Sequence, residues 1–187
     1  MDILTAFGLS ASAGLNAYIP LLVVALLAKF TNFIQLSSPW NALESWWTIG
    51  ILVVLSAVEF FADKIPAVNH VNDLIQTLVR PTAGAILFAA STSVVTDLEP
   101  VLALILGLFV AGSVHAVKTV AVRPAVTATT GGAGNVPVSI AEDILSTVLS
   151  IIAAVMPVII ATIMVLVTAL IIWWIWRRIN ANQAKNA

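Results

Sequence analysis

No cysteine occurs among the 187 residues, which removes disulfides, thiolate metal sites and cysteine nucleophiles together. Charge is nearly as scarce. Asp, Glu, Lys and Arg make up 9% of the chain, against 60% hydrophobic residues. The formal net charge is -1, and no basic stripe exists outside Arg177, Arg178 and Lys185, so there is no electrostatic case for a nucleic-acid partner. Long polar stretches are missing too. A mean hydropathy of +1.07 and runs such as Val101–Val114 and Val155–Ile172 exclude a soluble globular domain. Apolar stretches of ~20 residues match the ~30 Å hydrocarbon core of a bilayer, the first partner the composition implies.

A cleaved leader is not expected either. Ala11-Ser12-Ala13 resembles a small-residue cleavage site, but Asp2 precedes it, no basic region opens the chain, and the apolar segment resumes through Tyr18–Phe30. An uncleaved first span is the better reading.

What is present predicts an all-α polytopic membrane protein with about six membrane-embedded helices, some broken or re-entrant. The first covers about Ile3–Lys29, interrupted by Gly14, Asn16 and Pro20, and the second about Trp46–Ala62, stopped by Pro66. Trp40, Trp46 and Trp47 suit an interfacial belt. The third spans about Val68–Val95, with Asn69 or Asn72 as cap and Arg80-Pro81 interrupting its first half. Asp97, Glu99 and Pro100 form an acidic turn before a fourth helix, Val101–Val122, and a Gly-rich loop from Pro124 to Pro137. Met156-Pro157 divides the remainder into a fifth helix, Val138–Val155, and a sixth, Pro157–Trp176. The segment 139–155 either spans or is re-entrant. Residues 1–178 form one transmembrane domain and 179–187 a polar cytoplasmic tail.

Arg177, Arg178 and Lys185 place the C-terminus in the cytoplasm. Counting back puts Asp63-Lys64 and Pro124–Pro137 inside, Asp97 and Glu99 outside, and the N-terminus inside as well. Lys29 alone lands on the unfavoured side, from which it can snorkel.

Under this topology the scarce charges converge. The second helix ends with Glu59 and Asp63, which share a face at i and i+4. The third begins with His70, Asn72 and Asp73 and carries Arg80 two turns deeper. His115, Lys118 and Arg123 end the fourth; Asn135, Ser139, Glu142 and Asp143 open the fifth. Acids and bases nearly balance, as mutual neutralisation in a low dielectric requires. Caps, dipole partners and ion pairs would explain many of these charges without a ligand. Glu59, Arg80 and His115 lie farther inside apolar runs than capping needs, and an ionisable group at bilayer depth is a functional candidate by default. Asn16, between Gly14 and Pro20, either marks a broken helix of the kind that lines transporter sites or bonds a neighbouring helix at a simple kink.

Other motifs are weak. Gly131-Gly132-Ala133-Gly134 lacks the strand and the Lys-Ser/Thr of a phosphate loop. His70 and His115 with Glu59, Asp63 and Asp73 could form a metal site, but no tight ligand spacing supports one, and an ion-pair network is the better reading.

Gly14-Leu15-Asn16-Ala17-Tyr18-Ile19-Pro20, Glu59-Phe60-Phe61-Ala62-Asp63-Lys64-Ile65-Pro66, Arg80-Pro81-Thr82-Ala83-Gly84 and Glu142-Asp143 resemble a bacterial membrane family known as domain of unknown function 4126. The Glu-x-x-x-Asp-Lys-x-Pro block is the most specific part. Thr129–Asn135 is more Gly-rich than the family pattern, though Asn135 and Ser139 are kept. The resemblance implies an integral protein of the bacterial inner membrane and supplies no activity.

The expected function is a small transporter or channel for an ion or small polar solute. Asn16, Glu59, Asp63, Asp73, Arg80, His115, Lys118, Glu142 and Asp143 are its binding candidates, with no catalytic residue and no cofactor. The alternatives are a non-catalytic membrane scaffold or accessory subunit and, third, an enzyme acting on lipid headgroups. Gly107, Ala111 and Gly112 offer close-packing faces for a homo-oligomer. Asp63, close to the interface and to Lys64, is expected to matter less than Glu59.

Overall fold

The computed structural model describes residues 3–93 and 98–186, and every regular element in them is helical. The elements are α1 (Ile3–Leu15), α2 (Tyr18–Phe30), a 3-10 turn (Trp40–Glu44), α3 (Trp46–Ala62), α4 (Pro66–Thr92), α5 (Pro100–Val117), a π-helical turn (Lys118–Val122), α6 (Arg123–Thr130), α7 (Asn135–Val155) and α8 (Pro157–Asn186). Three stretches are long and apolar enough to cross a membrane: Val71–Thr92, Pro100–Thr130 and Asn135–Val155. The segment 139–155 thus belongs to a helix of spanning length. Asp97 and the His70 side chain lie outside the described residues.

The re-entrant element sits elsewhere. Thr5 Oγ1 donates to the Ala153 carbonyl (3.0 Å), Ser12 Oγ to the Ser146 carbonyl (2.6 Å) and Asn16 Nδ2 to Asp143 Oδ1 (3.0 Å), so α1 runs antiparallel to α7. Its C-terminus therefore meets the beginning of α7, among the charges. The chain then turns back. Lys29, at the end of α2, reaches the Glu44 carbonyl (2.8 Å) and the Trp46 ring at the start of α3, so α2 returns to the end from which α1 came. At 1.5 Å per residue each 13-residue arm is about 20 Å long, too short to cross ~30 Å of hydrocarbon. The expected first span is instead a helical hairpin with its tip at Asn16-Ala17.

Local chemistry explains the correction. Pro20 falls in the first turn of α2, where an amide has no intrahelical partner and proline costs little. The Asn16 side-chain oxygen accepts the Tyr18 and Ile19 amides at 3.1 and 3.0 Å, closing the start of that helix. What looked like a kink is a helix start. The hairpin also separates the termini. α8 leaves the far end and runs back until Val167 and Ile171 share a cavity wall with Leu15, Lys118 and Glu142. The start of α1, beside Ala153, and the Val167–Ile171 turn of α8 therefore lie at opposite ends of the bundle.

Two further expectations fail locally. Pro81 does not interrupt α4, which continues through it from Pro66 to Thr92. Nor is Asn69 or Asn72 its cap: Ile65 holds that position and Pro66 begins the helix. The loop from Pro124 to Pro137 shrinks to Gly131–Gly134, since α6 continues the fourth helix to Thr130. Thr129 and Thr130 donate to the carbonyls of Ala125 and Val126, one turn back in the same helix. Gly131 and Gly132, with φ of 62° and 92°, then make the left-handed turn.

α1 is the buried centre, packed among α4, α5, α7 and α8. Glycines allow this. A Cβ on Gly14 would lie 2.6 Å from the Ala111 carbonyl, and one on Gly84 would lie 2.8 Å from the Gly107 carbonyl. Gly107 and Ala111 are therefore used inside one chain, which withdraws them from the oligomer face expected of them.

Two outcomes follow from this packing. Gly84→Val should abolish the folded species in detergent, measured by size-exclusion chromatography, because backbone and not a flexible side chain opposes the new methyls. With no native cysteine, Ile3→Cys and Ala184→Cys can be labelled singly by a membrane-impermeant maleimide in intact vesicles. They should react from opposite sides, and labelling of both from one side would restore a spanning first helix.

Candidate functional site: a buried charge layer

Nine charged side chains form one connected layer where α3 ends, α4 begins, the π turn follows α5, and α7 begins. Arg80 Nη2 donates to Glu59 Oε1 at 2.8 Å and lies 3.7 Å from Asp63 Oδ2. Arg123 joins Asp63 and Asp73, both at 3.1 Å, and approaches Glu142 at 3.6 Å. Lys118 pairs with Glu142 at 2.7 Å, and Lys64 with Asp143 at 3.2 Å. Asn16 ties the hairpin tip to Asp143, and Lys118 Nζ donates to the Leu15 carbonyl at 3.1 Å. All nine residues proposed from the sequence are in this layer or directly bonded to it.

Asp63 is not the peripheral group that its neighbour Lys64 suggested. It is buried, accepts from Asn72 at 2.6 Å, from Arg123 and from Ser139 at 3.4 Å, and is the hub between α3, α4 and α7. Lys64 turns away toward Asp143. Asp73 is the more open acid, with 22% of its side chain exposed.

The π turn explains how Lys118 and Arg123 act together. Five residues apart in an α-helix, they would diverge by about 140° at 3.6 residues per turn. Here the Arg123 amide bonds the Lys118 carbonyl, an i to i+5 link that brings both side chains to one face and onto Glu142. Pro124, which has no amide to give, follows at once.

Hydrogen bonding fixes the state of His115. Thr77 Oγ1 spends its proton on the Asp73 carbonyl (2.9 Å), so at 3.2 Å it accepts from His115 Nε2. Nδ1 faces the Arg80 Nη1 donor at 3.4 Å and must accept. The imidazole is therefore the neutral Nε2–H tautomer with both nitrogens occupied. It adds no charge. Among the described side chains the layer then holds Glu59, Asp63, Asp73, Glu142 and Asp143 against Lys64, Arg80, Lys118 and Arg123: five acids and four bases.

Two openings flank the bundle. A cavity of about 450 Å³ lined by Asp73, Thr119, Arg123, Thr127 and Asn135 reaches the layer from the charged end. Another, about 380 Å³, lies at the opposite end between Ser37, Trp40, Thr92 and Ser93. Between these levels α1 and α7 share a hydroxyl cluster, with Ser12 Oγ 2.7 Å from Ser150 Oγ and 3.0 Å from Ser146 Oγ, all fully buried. These serines, with Tyr18 and Gln76, are not evident from charge alone. Helical spacing carries the signal: Asn72, Gln76 and Arg80 recur every four residues, and Ser139, Glu142, Asp143, Ser146 and Ser150 fall on one stripe of α7. Among the described residues no group of three His, Asp or Glu side chains gathers to hold a metal, and the His70 side chain of the candidate set lies outside them.

The sequence model described as domain of unknown function 4126 matches residues 3–177, which include the whole layer and the hairpin. Neither the curated proteins nor the solved structures contain a match.

Arg80 is fully buried and serves two carboxylates. Arg80→Ala strands Glu59 and should cost about 3–5 kcal/mol. Thermal denaturation in detergent should show a clear fall in melting temperature, and an unshifted transition would mean that the pair contributes no net stability.

Proposed function

From the premise that this chain belongs to the family of domain of unknown function 4126, which assigns no activity, we propose that it is a small membrane transporter or channel for an ion or small polar solute, closed in this structure. One observation carries the proposal: a helix hairpin ends inside a charge layer that, among the described side chains, holds one more acid than base. A scaffold needs ion pairs that cancel. A layer with one acid to spare is suited to take up a cation or a proton, because an uncompensated buried charge is costly. Non-helical backbone at such depth is tolerated where protein surrounds it or where it lines a polar cavity. Half-helix ends of this kind hold ions and substrates in transporters.

The parts take definite roles under this proposal. The cavity at Asp73 and Arg123 is the entrance, on the cytoplasmic side if Arg177, Arg178 and Lys185 are inside. Arg123, bonded to Asp63 and Asp73, is the barrier a solute must displace. Lys118, seated on the Leu15 carbonyl and Glu142, occupies the position a bound cation would take at the end of a half-helix. The Ser12, Ser146 and Ser150 hydroxyls continue the polar line toward the opposite end.

Flux in proteoliposomes tests this. Protein loaded under proton, sodium and potassium gradients should pass at least one of these ions or a coupled small solute. Glu59→Gln should lower that flux at least tenfold while leaving the chromatographic profile unchanged. Protein that passes nothing, but loses its assembly on Glu59→Gln, would establish the scaffold instead.

A further inference from the structure

A third cavity, about 600 Å³, lies to one side of the bundle, between the ends of α1 and α5, the start of α7 and the second half of α8. Its size and largely apolar lining are those of a ligand pocket, ~300–1,000 Å³ with a few placed polar groups. Val117, Leu145, Val167 and Ile171 in its wall are each about half exposed, so it opens sideways, toward the hydrocarbon of a bilayer. Two charged side chains also line it: Lys118, 3% exposed, and Glu142, 7% exposed. Neither is fully used. Glu142 Oε2 lies 2.7 Å from Lys118 Nζ, yet the contact is not aligned as a hydrogen bond, and no described donor reaches that oxygen in hydrogen-bonding geometry. Lys118 has three hydrogens, and among the described residues the Leu15 carbonyl accepts one.

The occupant must therefore be apolar along its length and polar at one end. Bulk lipid tails would suit the walls and leave both polar groups unanswered, which is costly in hydrocarbon. A neighbouring helix, ~10 Å across with a 5.4 Å pitch, fills about 400 Å³ per turn, so the cleft would admit barely a turn and a half. The charge of the head is set by the pair it meets. An anionic head would lie against Glu142 and a cationic head against Lys118, because the two are in contact. The pair is also deep. Glu142 is seven residues into α7, about 10 Å along a helix of about 30 Å. An ion drawn to that depth loses its water at far greater cost than a hydroxyl does. A hydroxyl fits both members of the pair, since it has one hydrogen to donate and lone pairs to accept.

We propose that this cleft binds the hydroxyl end of an uncharged long-chain lipid. The hydroxyl donates to the Glu142 carboxylate and accepts from Lys118. Leu145 lies deeper than Glu142 on α7, and Val167 deeper than Ile171 on α8, so the chain follows them toward the middle of the bilayer. A diacylglycerol and a linear isoprenoid alcohol share this chemistry. The site borrows two side chains of the charge layer but does not depend on flux, and it faces the membrane, whereas the cavity at Asp73 faces the charged end.

Photolabelling of the whole protein in phosphatidylcholine nanodiscs tests this. Hexadecanol carrying a mid-chain diazirine should label Leu145 or Val167 saturably, as located by peptide mass spectrometry. Unlabelled dioleoylglycerol or farnesol should compete, and the better competitor identifies the source as glycerolipid or isoprenoid. Hexadecyl sulfate and hexadecyltrimethylammonium, charged at every pH, should compete at least tenfold less well. That order is read on unaltered protein and needs no variant. Ala141→Trp, which fills the cleft from an exposed position in its lining, should reduce labelling at least tenfold with an unchanged chromatographic profile. Equal competition by the charged analogues would overturn the proposal, as would labelling that survives Ala141→Trp. Label spread evenly onto Ile51 and Val54 of α3 would show bulk lipid instead. Protein that takes no label, but changes its assembly size on Ala141→Trp, would show an interface between copies and sink the proposal equally.

Discussion

Lys118 and the carbonyl of Leu15 meet inside the bundle, and the architecture is arranged around that contact. A helix that stops within a bilayer leaves its last carbonyls without partners, and hydrocarbon offers none. The ammonium answers the carbonyl, and Glu142 answers the ammonium. Glu142 then needs to sit at the start of α7, and the π turn must aim Lys118 inward. Asn16 completes the junction by bonding Asp143 on one side and the first amides of α2 on the other. Removing any member would leave a charge or a backbone group stranded at depth.

Such a layer is a poor source of stability, because desolvating ions cancels much of what pairing returns. Cohesion comes from close backbone approach. Gly14, Gly84 and Gly107 let α1, α4 and α5 press together, and hydroxyls on α1 and α7 hold the remaining seam. In a membrane, where lipid competes for apolar contact, packing of small residues and interhelical hydrogen bonds drive association. The charges instead fix register: Arg80 must stand opposite Glu59, and Arg123 opposite Asp63 and Asp73.

Much of this was legible before the structure. Scarce charges in an apolar chain mark their own importance, and α3 and the break at Met156 fell where pattern and proline placed them. The family match agrees with the blocks around Asn16, Glu59, Arg80 and Glu142. The hairpin was not legible, because hydropathy counts apolar residues without telling one 26-residue span from two 13-residue arms. Asn16 and Pro20 are common to a kink and to a helix start. Only the partners of Thr5, Ser12 and Lys29 reveal which way the chain runs. The π turn was hidden for a related reason: Lys118 and Arg123 do not share a face until the helix widens. Pairings such as Arg123 with Asp63 depend on which helices neighbour one another, which a single sequence does not state.

The short hairpin also bears on how the protein is made. Its arms precede α4, α5 and α7 in the chain, yet neither is long enough to cross a bilayer alone, and the tip carries an amide side chain that lipid would not accept. The surfaces that receive it belong to α4, α5 and α7, which are synthesised up to 140 residues later. The hairpin can therefore reach its final packing only once α4, α5 and α7 are present to receive it. Its arrival brings Asn16 to Asp143 and the Leu15 carbonyl to Lys118, so the charge layer is complete only when assembly itself is complete.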